Sequence, residues 1–143
     1  MKPLEHLRYS PEFLKEILTK TKTIALVGAS ANTARDSHEV MQYLQKRGYR
    51  VIPVNPGLAG QQLLGETVYA TLKDIPENVD LVDVFRNSAA AGPVCDEAIA
   101  IDAKYIWMQL GVTNEDGATR AEAAGLKVVM NRCPKIEIPQ LFR

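Results

Sequence analysis

Short apolar runs recur along the chain, with helical patterns filling the gaps between them. The runs are Thr23–Val27 (TIALV), residues 49–54 (YRVIPV), residues 81–85 (LVDVF), the YIWM of "AKYIWMQLG" and the VVM of "LKVVMN". The first run shows no apolar–polar alternation, which suits a strand covered on both faces. From about residue 37 to 47 the pattern turns helical, with Val40, Met41 and Leu44 on one side and Gly48 as a stop. Asp36 and Glu39 have the spacing of a capping box there, and Ser37 is the alternative cap. "AAAGPVCDEAIAIDA", with Pro93 near its start, and "NEDGATRAEAAG", ended by Gly125, read as two more helices. Upstream, Ser10 and Pro11 suit a helix start, and Phe13, Leu14, Ile17 and Leu18 form one apolar face. Pro53 removes a ladder donor, so the second strand is expected to end or bulge there. "GLAGQQLLG" reads as a glycine-rich loop, and residues 67–69 as a short strand. Strands alternating with helices predict an α/β fold, a Rossmann-like doubly wound parallel sheet with helices on both faces. Five strands and a short sixth are expected.

A chain of 143 residues is expected to form one domain over 1–143, with residues 1–20 a helical segment packed on it. Lys and Arg total 17, as do Asp and Glu, so no general attraction draws the chain to nucleic acid or an anionic membrane. Any anion site must be local. Cys95 and Cys133 have neither metal-site nor redox spacing and make no disulfide framework. Reduced thiols point to the cytoplasm. "MKPLEHLRYSPEF" lacks the apolar run of a signal peptide, and no window approaches the ~20 apolar residues of a membrane span.

In a doubly wound sheet, ligands bind beyond the carboxyl ends of the strands, where strand order reverses. The segments expected to face one another there are "GASANTARDS", "NPGLAGQ", "RNSAA", "QLGV" and "NRCPK". Gly28 and Ala29 are small enough to let the backbone approach a ligand, and the helix start that follows presents free N–H groups to an anion. Ser30, Asn32 and Ser37 add hydroxyl and amide donors. A tight turn that holds nothing would also need Gly28. Arg35 and Arg86 each fall just beyond a strand, and arginine suits phosphate through its paired donors.

The end of the second strand separates ligand classes. An NAD-binding domain usually carries an acid there for the ribose hydroxyls. This chain has Asn55, Pro56 and Gly57. That counts against NAD, while an NADP enzyme could use the nearby cations. His6 and His38 are the only histidines. His38 lies at a helix start beside the cleft, where it is either a general base or a packed side chain. Cys133 reads as a packed thiol, since no activating base is expected nearby. Trp107 and Met108 read as core, and Asp83 as a strand residue of undetermined facing. The cleft thus has anion-binding features and no recognisable catalytic arrangement.

"VGAS" with its following Arg and Ser, "VIPVNP", "GETVYATLKDIP", "VDVFRNS", "IWMQLGV" and "VMNRCPKIE" together resemble the small stand-alone CoA-binding proteins. These are similar to the CoA-binding domain of the succinyl-CoA synthetase alpha subunit. The resemblance runs from about Pro11 to Phe142. It implies strand order 3-2-1-4-5-6, with residues 67–69 as the third strand, and coenzyme A or an acyl-CoA in the cleft. By position, Gly28, Ala29, Ser30, Arg35 and Ser37 match the loop that meets the diphosphate. Asn55 and Pro56 match the second-strand loop, and Phe85 and Arg86 the adenosine side. Gln109 and Asn131 match the rim along which the pantetheine arm passes. The synthetase has a further domain with a phosphorylated histidine; this sequence reaches Arg143 without one, so ligase chemistry is not expected of it. The implied partners are a small CoA ligand and an acyl-CoA enzyme of unspecified kind. A small NAD(P)-dependent oxidoreductase or a CoA-dependent acyl transferase is the alternative, and an interaction protein with a vestigial cleft is a third reading.

Overall fold

The computed structural model describes residues 8–142, so His6 lies outside the described residues. Ser10 caps α1 (Pro11–Lys20), its hydroxyl accepting from Phe13 N with Pro11 in the first turn. Then come β1 (Thr23–Val27), α2 (Asp36–Lys46), β2 (Arg50–Val54) and a hairpin of β3 (Gln62–Leu63) and β4 (Glu66–Thr67). They are followed by β5 (Leu81–Val84), α3 (Ser88–Ala100), β6 (Tyr105–Met108), α4 (Glu115–Ala123), β7 (Lys127–Val129) and α5 (Pro134–Leu141).

The main sheet is parallel, in the order β2-β1-β5-β6-β7. Beyond β2 a single parallel bridge joins Val54 to Tyr69. The expected third strand is therefore present only as that contact, and it completes the expected order. Alternate residues of each strand serve opposite cores. Val82, Val84, Ile106 and Met108 pack with Ala91, Val94, Ala98, Ala118 and Ala121 of α3 and α4. Ile24, Leu26, Leu81 and Trp107 pack with Leu14, Ile17, Met41, Leu44 and Ile138 of α1, α2 and α5. The sheet is covered on both faces, as in a doubly wound fold.

Three local expectations change. β2 runs straight through Pro53, which pairs with Leu26. The Pro53 carbonyl faces outward and accepts from Tyr69 N, so its missing N–H also faces the edge that carries only that bridge. The "GLAGQQLLG" loop contains the β3–β4 hairpin, turned by Leu64 (φ 48°) and Gly65 (φ 83°). Two successive positive φ values are the signature of a type I′ turn. Helix α5 arises where a rim loop was expected; Pro134 occupies its first turn and Pro139 lies inside it, so the sequence shows little helical pattern there.

Candidate functional site

Strand order reverses between β1 and β5, and the crevice opens at their carboxyl ends. Gly28 closes this corner. Its φ is +95°, and a Cβ placed on it would lie 2.3 Å from the Phe85 carbonyl oxygen. Phe85 N donates to Val27 O at 2.8 Å, while Gly28 N and Ala29 N both donate to Val54 O, at 3.0 and 3.3 Å. The ends of β1, β2 and β5 are thereby tied together.

The loop that follows is folded on itself. Asn32 N donates to Ser30 Oγ and Ala34 N to Asn32 Oδ1, both at 3.0 Å. Those acceptors are used internally, which leaves the Ser30 hydroxyl proton and the Asn32 amide as donors toward the crevice. Helix α2 starts at Asp36, and no side chain caps it. Neither the Asp36–Glu39 box nor a Ser37 cap forms. His38 N and Glu39 N turn back to Arg35 O. The uncapped helix start presents its first backbone N–H groups at the crevice, with the carboxylates of Asp36 and Glu39 in the same turn.

Asn55 holds the opposite wall. Its Nδ2 donates to Ala29 O at 2.7 Å, and its Oδ1 accepts from Gly57 N at 2.8 Å. A cavity of about 760 Å³ lies between these walls. Gly28, Ala29, Ser30, Asn32, Arg35, Ser37, Asn55, Phe85 and Arg86 line it, together with Ala31, Ala34, Asp36, Gly57 and Leu58. Arg35 and Arg86 are exposed and make no ion pair among the described residues, and Asp36 is the one acid in the lining. A second cavity of about 480 Å³ shares Gly28, Asn55, Gly57 and Arg86 with the first. Pro56 lines this one, beside Val27, Val54, Ala70, Thr71, Leu72, Val94 and Glu97. The two cavities adjoin through these shared residues and form one trough, with Arg35 lining only the first and Val27, Val54, Leu72 and Val94 only the second. The sequence carried no signal for Thr71 or Glu97, which reach the trough from separate elements.

Gln109 and Asn131 line neither cavity. Gln109 is buried. Asn131, at φ +59°, accepts from Gly111 N through Oδ1 at 2.7 Å and donates its own N–H to Val112 O. It fastens the loop after β7 to the loop after β6. His38 and Cys133 are buried and also line neither cavity. Cys133 sits at the start of α5, under the carbonyl of Arg132 that accepts from Trp107 Nε1 at 2.9 Å. No group of three or more metal-binding side chains occurs among the described residues. No helix among them is long and apolar enough to cross a membrane.

Asp83 faces the α1/α2/α5 core between Leu26 and Trp107. It is 1% exposed, and burial pushes its carboxyl up to about 8.

The family model for the CoA binding domain matches residues 22–139. The chain belongs to that family. This CoA-binding domain is 38% identical over 123 residues to the uncharacterized protein YneT of Bacillus subtilis strain 168, covering 86% of this chain and 90% of that one. A hypothetical protein from Pyrococcus horikoshii OT3 superposes with a TM-score of 0.91 at 37% identity, over the full length of both chains. A dinucleotide-forming acetyl-coenzyme A synthetase from Ca. Korarchaeum cryptofilum matches at TM-score 0.67 and 25% identity, over 79% of this chain and 26% of that one. A fold of this kind thus occurs both as a chain of this size and as part of a much longer enzyme.

Proposed function

We propose that the trough at the β1–β5 reversal binds coenzyme A or an acyl-CoA, and that the chain, as one domain, performs no catalysis of its own. The observation that carries this is the meeting of an uncapped helix start with Arg35 and Arg86 in a single cavity. A diphosphate placed there meets backbone N–H groups, the Ser30 hydroxyl and two guanidinium groups. The adenosine runs into the second, more apolar cavity, and the pantetheine arm leaves toward the loops after β6 and β7. Asn55 supports CoA over NAD: its side chain is committed to backbone groups, and no carboxylate stands at the end of β2 for a ribose. The burial of His38 and Cys133 outside the trough supports binding over acyl transfer. On this reading the protein works in the cytoplasm as a carrier or sensor that serves an acyl-CoA enzyme.

Isothermal titration with CoA, dephospho-CoA and NAD tests the proposal. CoA is expected to bind and NAD not to; no heat with CoA at millimolar concentration rejects it. Turnover of an acyl-CoA panel, abolished by substituting His38 or Cys133, would establish the transferase instead.

A further inference from the structure

Three buried side-chain oxygens have no hydrogen-bond partner among the described residues: both oxygens of Asp83 and Oε1 of Gln109. The two residues are 1% and 7% exposed. Buried polar atoms in native proteins are nearly always paired, so three buried acceptors together call for a proton among them. The sheet register brings the two residues together. Asp83 lies opposite Trp107, and Val84 opposite Met108. Gln109 follows Trp107 by two residues and donates its backbone N–H to Val84 O at 3.2 Å. By the alternation of a strand, Gln109 and Asp83 share the α1/α2/α5 side of the sheet. They stand diagonally across adjacent strands, a separation that long side chains span.

Among the described residues no cation offsets a charge at Asp83; burial is the cause of its raised pKa, about 8. Among the described residues, the titratable groups packed on this side are Cys133 ahead of α5, Tyr105 on β6 and Tyr9 ahead of α1, with Tyr43 and Tyr49 at the margin; His38, in the first turn of α2, is also buried. Two of the charged side chains on these helices form ion pairs at the surface, Glu16 with Lys127 and Glu39 with Lys135. A neutral acid beside an amide oxygen is the arrangement that supplies a proton where acceptors outnumber donors.

We propose that Asp83 keeps its proton and donates it to Gln109 Oε1, and that this acid–amide pair positions Phe85 and Arg86 at the trough. Strand β5 ends at Val84, and the Phe85 carbonyl is the surface against which Gly28 packs. The hold of β6 on the end of β5 therefore fixes where Phe85 and Arg86 project. Ionising Asp83 sets carboxylate and amide oxygens against each other and releases that hold. The effect on the ligand rests on the CoA reading above; the pair itself does not.

Infrared difference spectra of the wild type against Asp83→Asn are expected to show a protonated-carboxyl band from Asp83 at neutral pH; its absence overturns the proposal. In Gln109→Met the band is expected to move to higher frequency as the bond is lost, and an unmoved band overturns the pairing. CoA titrations then read the positioning role. The wild type is expected to bind about tenfold more weakly at about pH 9 than at neutral pH, beyond any change in Asp83→Asn, because only the protonated fraction is competent. Parallel pH profiles overturn that role. Failure of every form to bind CoA at any pH overturns the CoA reading and the positioning role with it, while the infrared bands still decide the pair.

Discussion

The Asn55 side-chain amide donates to the Ala29 carbonyl at 2.7 Å and ties the loop after β2 to the loop after β1. Its other end accepts from Gly57 N. One side chain thus braces both walls of the trough, without needing to touch a ligand itself. Asn55→Ala leaves the Ala29 carbonyl and the Gly57 N–H without their partner, and is expected to cost about 2 kcal/mol. Urea denaturation measures that loss. CoA affinity should fall alongside it, because the loop that meets the diphosphate loses its brace. Asn55→Asp keeps the bond to Gly57 N but turns a donor into an acceptor facing Ala29 O, so it should be no better than Ala. An Asp variant as stable as the wild type would show that the Ala29 bond contributes little.

Gly28 meets Phe85 more closely than any side chain allows. Its φ of +95° already disfavours an L residue, and a Cβ would fall 2.3 Å from a backbone oxygen that cannot swing away. Gly28→Ala is expected to destabilise the fold by about 3 kcal/mol through strain and overpacking together. Gly60→Ala is a control, since its φ of +86° carries the backbone penalty with no atom within 4 Å of the added carbon. The difference between the two variants in thermal or urea unfolding isolates the contact with Phe85.

Arg35 and Arg86 approach the cavity from different loops and have no ion-pair partner among the described residues. Replacing both by Ala removes two charged hydrogen-bond sites from a bound diphosphate. The expected loss is about 3 kcal/mol, roughly a hundredfold in Kd for CoA. Stability should change little, because both side chains are exposed. Calorimetric titration at two salt concentrations provides the check: the wild type should weaken with salt more than the double variant. Equal CoA affinity in the two proteins would move the diphosphate elsewhere. If the cleft is vestigial, partner binding should survive the substitution.

The order of elements was legible because buried parallel strands are written as unbroken apolar runs, and the helices between them carry clear stops such as Gly48. Elements that depend on a few residues were not. The β3–β4 hairpin has two residues per strand, and the third strand is one bridge at Tyr69. Helix α5 hides behind Pro139. In the site, the sequence pointed to Gly28 for a ligand's approach, whereas the nearest demand on it comes from Phe85 on another strand. Asn55 and Asn131 were read as ligand-side residues, and the sequence did not show that their oxygens also accept from backbone N–H groups. Such roles depend on which loops fold together, and spacing along one loop does not encode them. Asp83 showed the same limit, since a short apolar strand does not reveal which core each residue enters.

Asp83 also sets an expectation for stability against pH. Its carboxyl titrates near 3.8 when solvated and at about 8 in the fold, with burial as the cause. Below about pH 4 both states carry the proton, and the group has no effect. Between the two values only the folded state holds it, so stability falls as pH rises. Above about pH 8 both states are ionised and the loss is complete. The difference between the two values caps the effect at about 6 kcal/mol, and relaxation of the strand around the charge lowers it. Asp83→Asn removes the titration while keeping the shape and a donor. The variant should therefore match the wild type in acid and exceed it increasingly from about pH 5 to 8, as measured by urea unfolding in a series of buffers. A constant offset between the two proteins across that range would mean that Asp83 titrates as a solvated acid, and that its burial is relieved by a partner or by solvent.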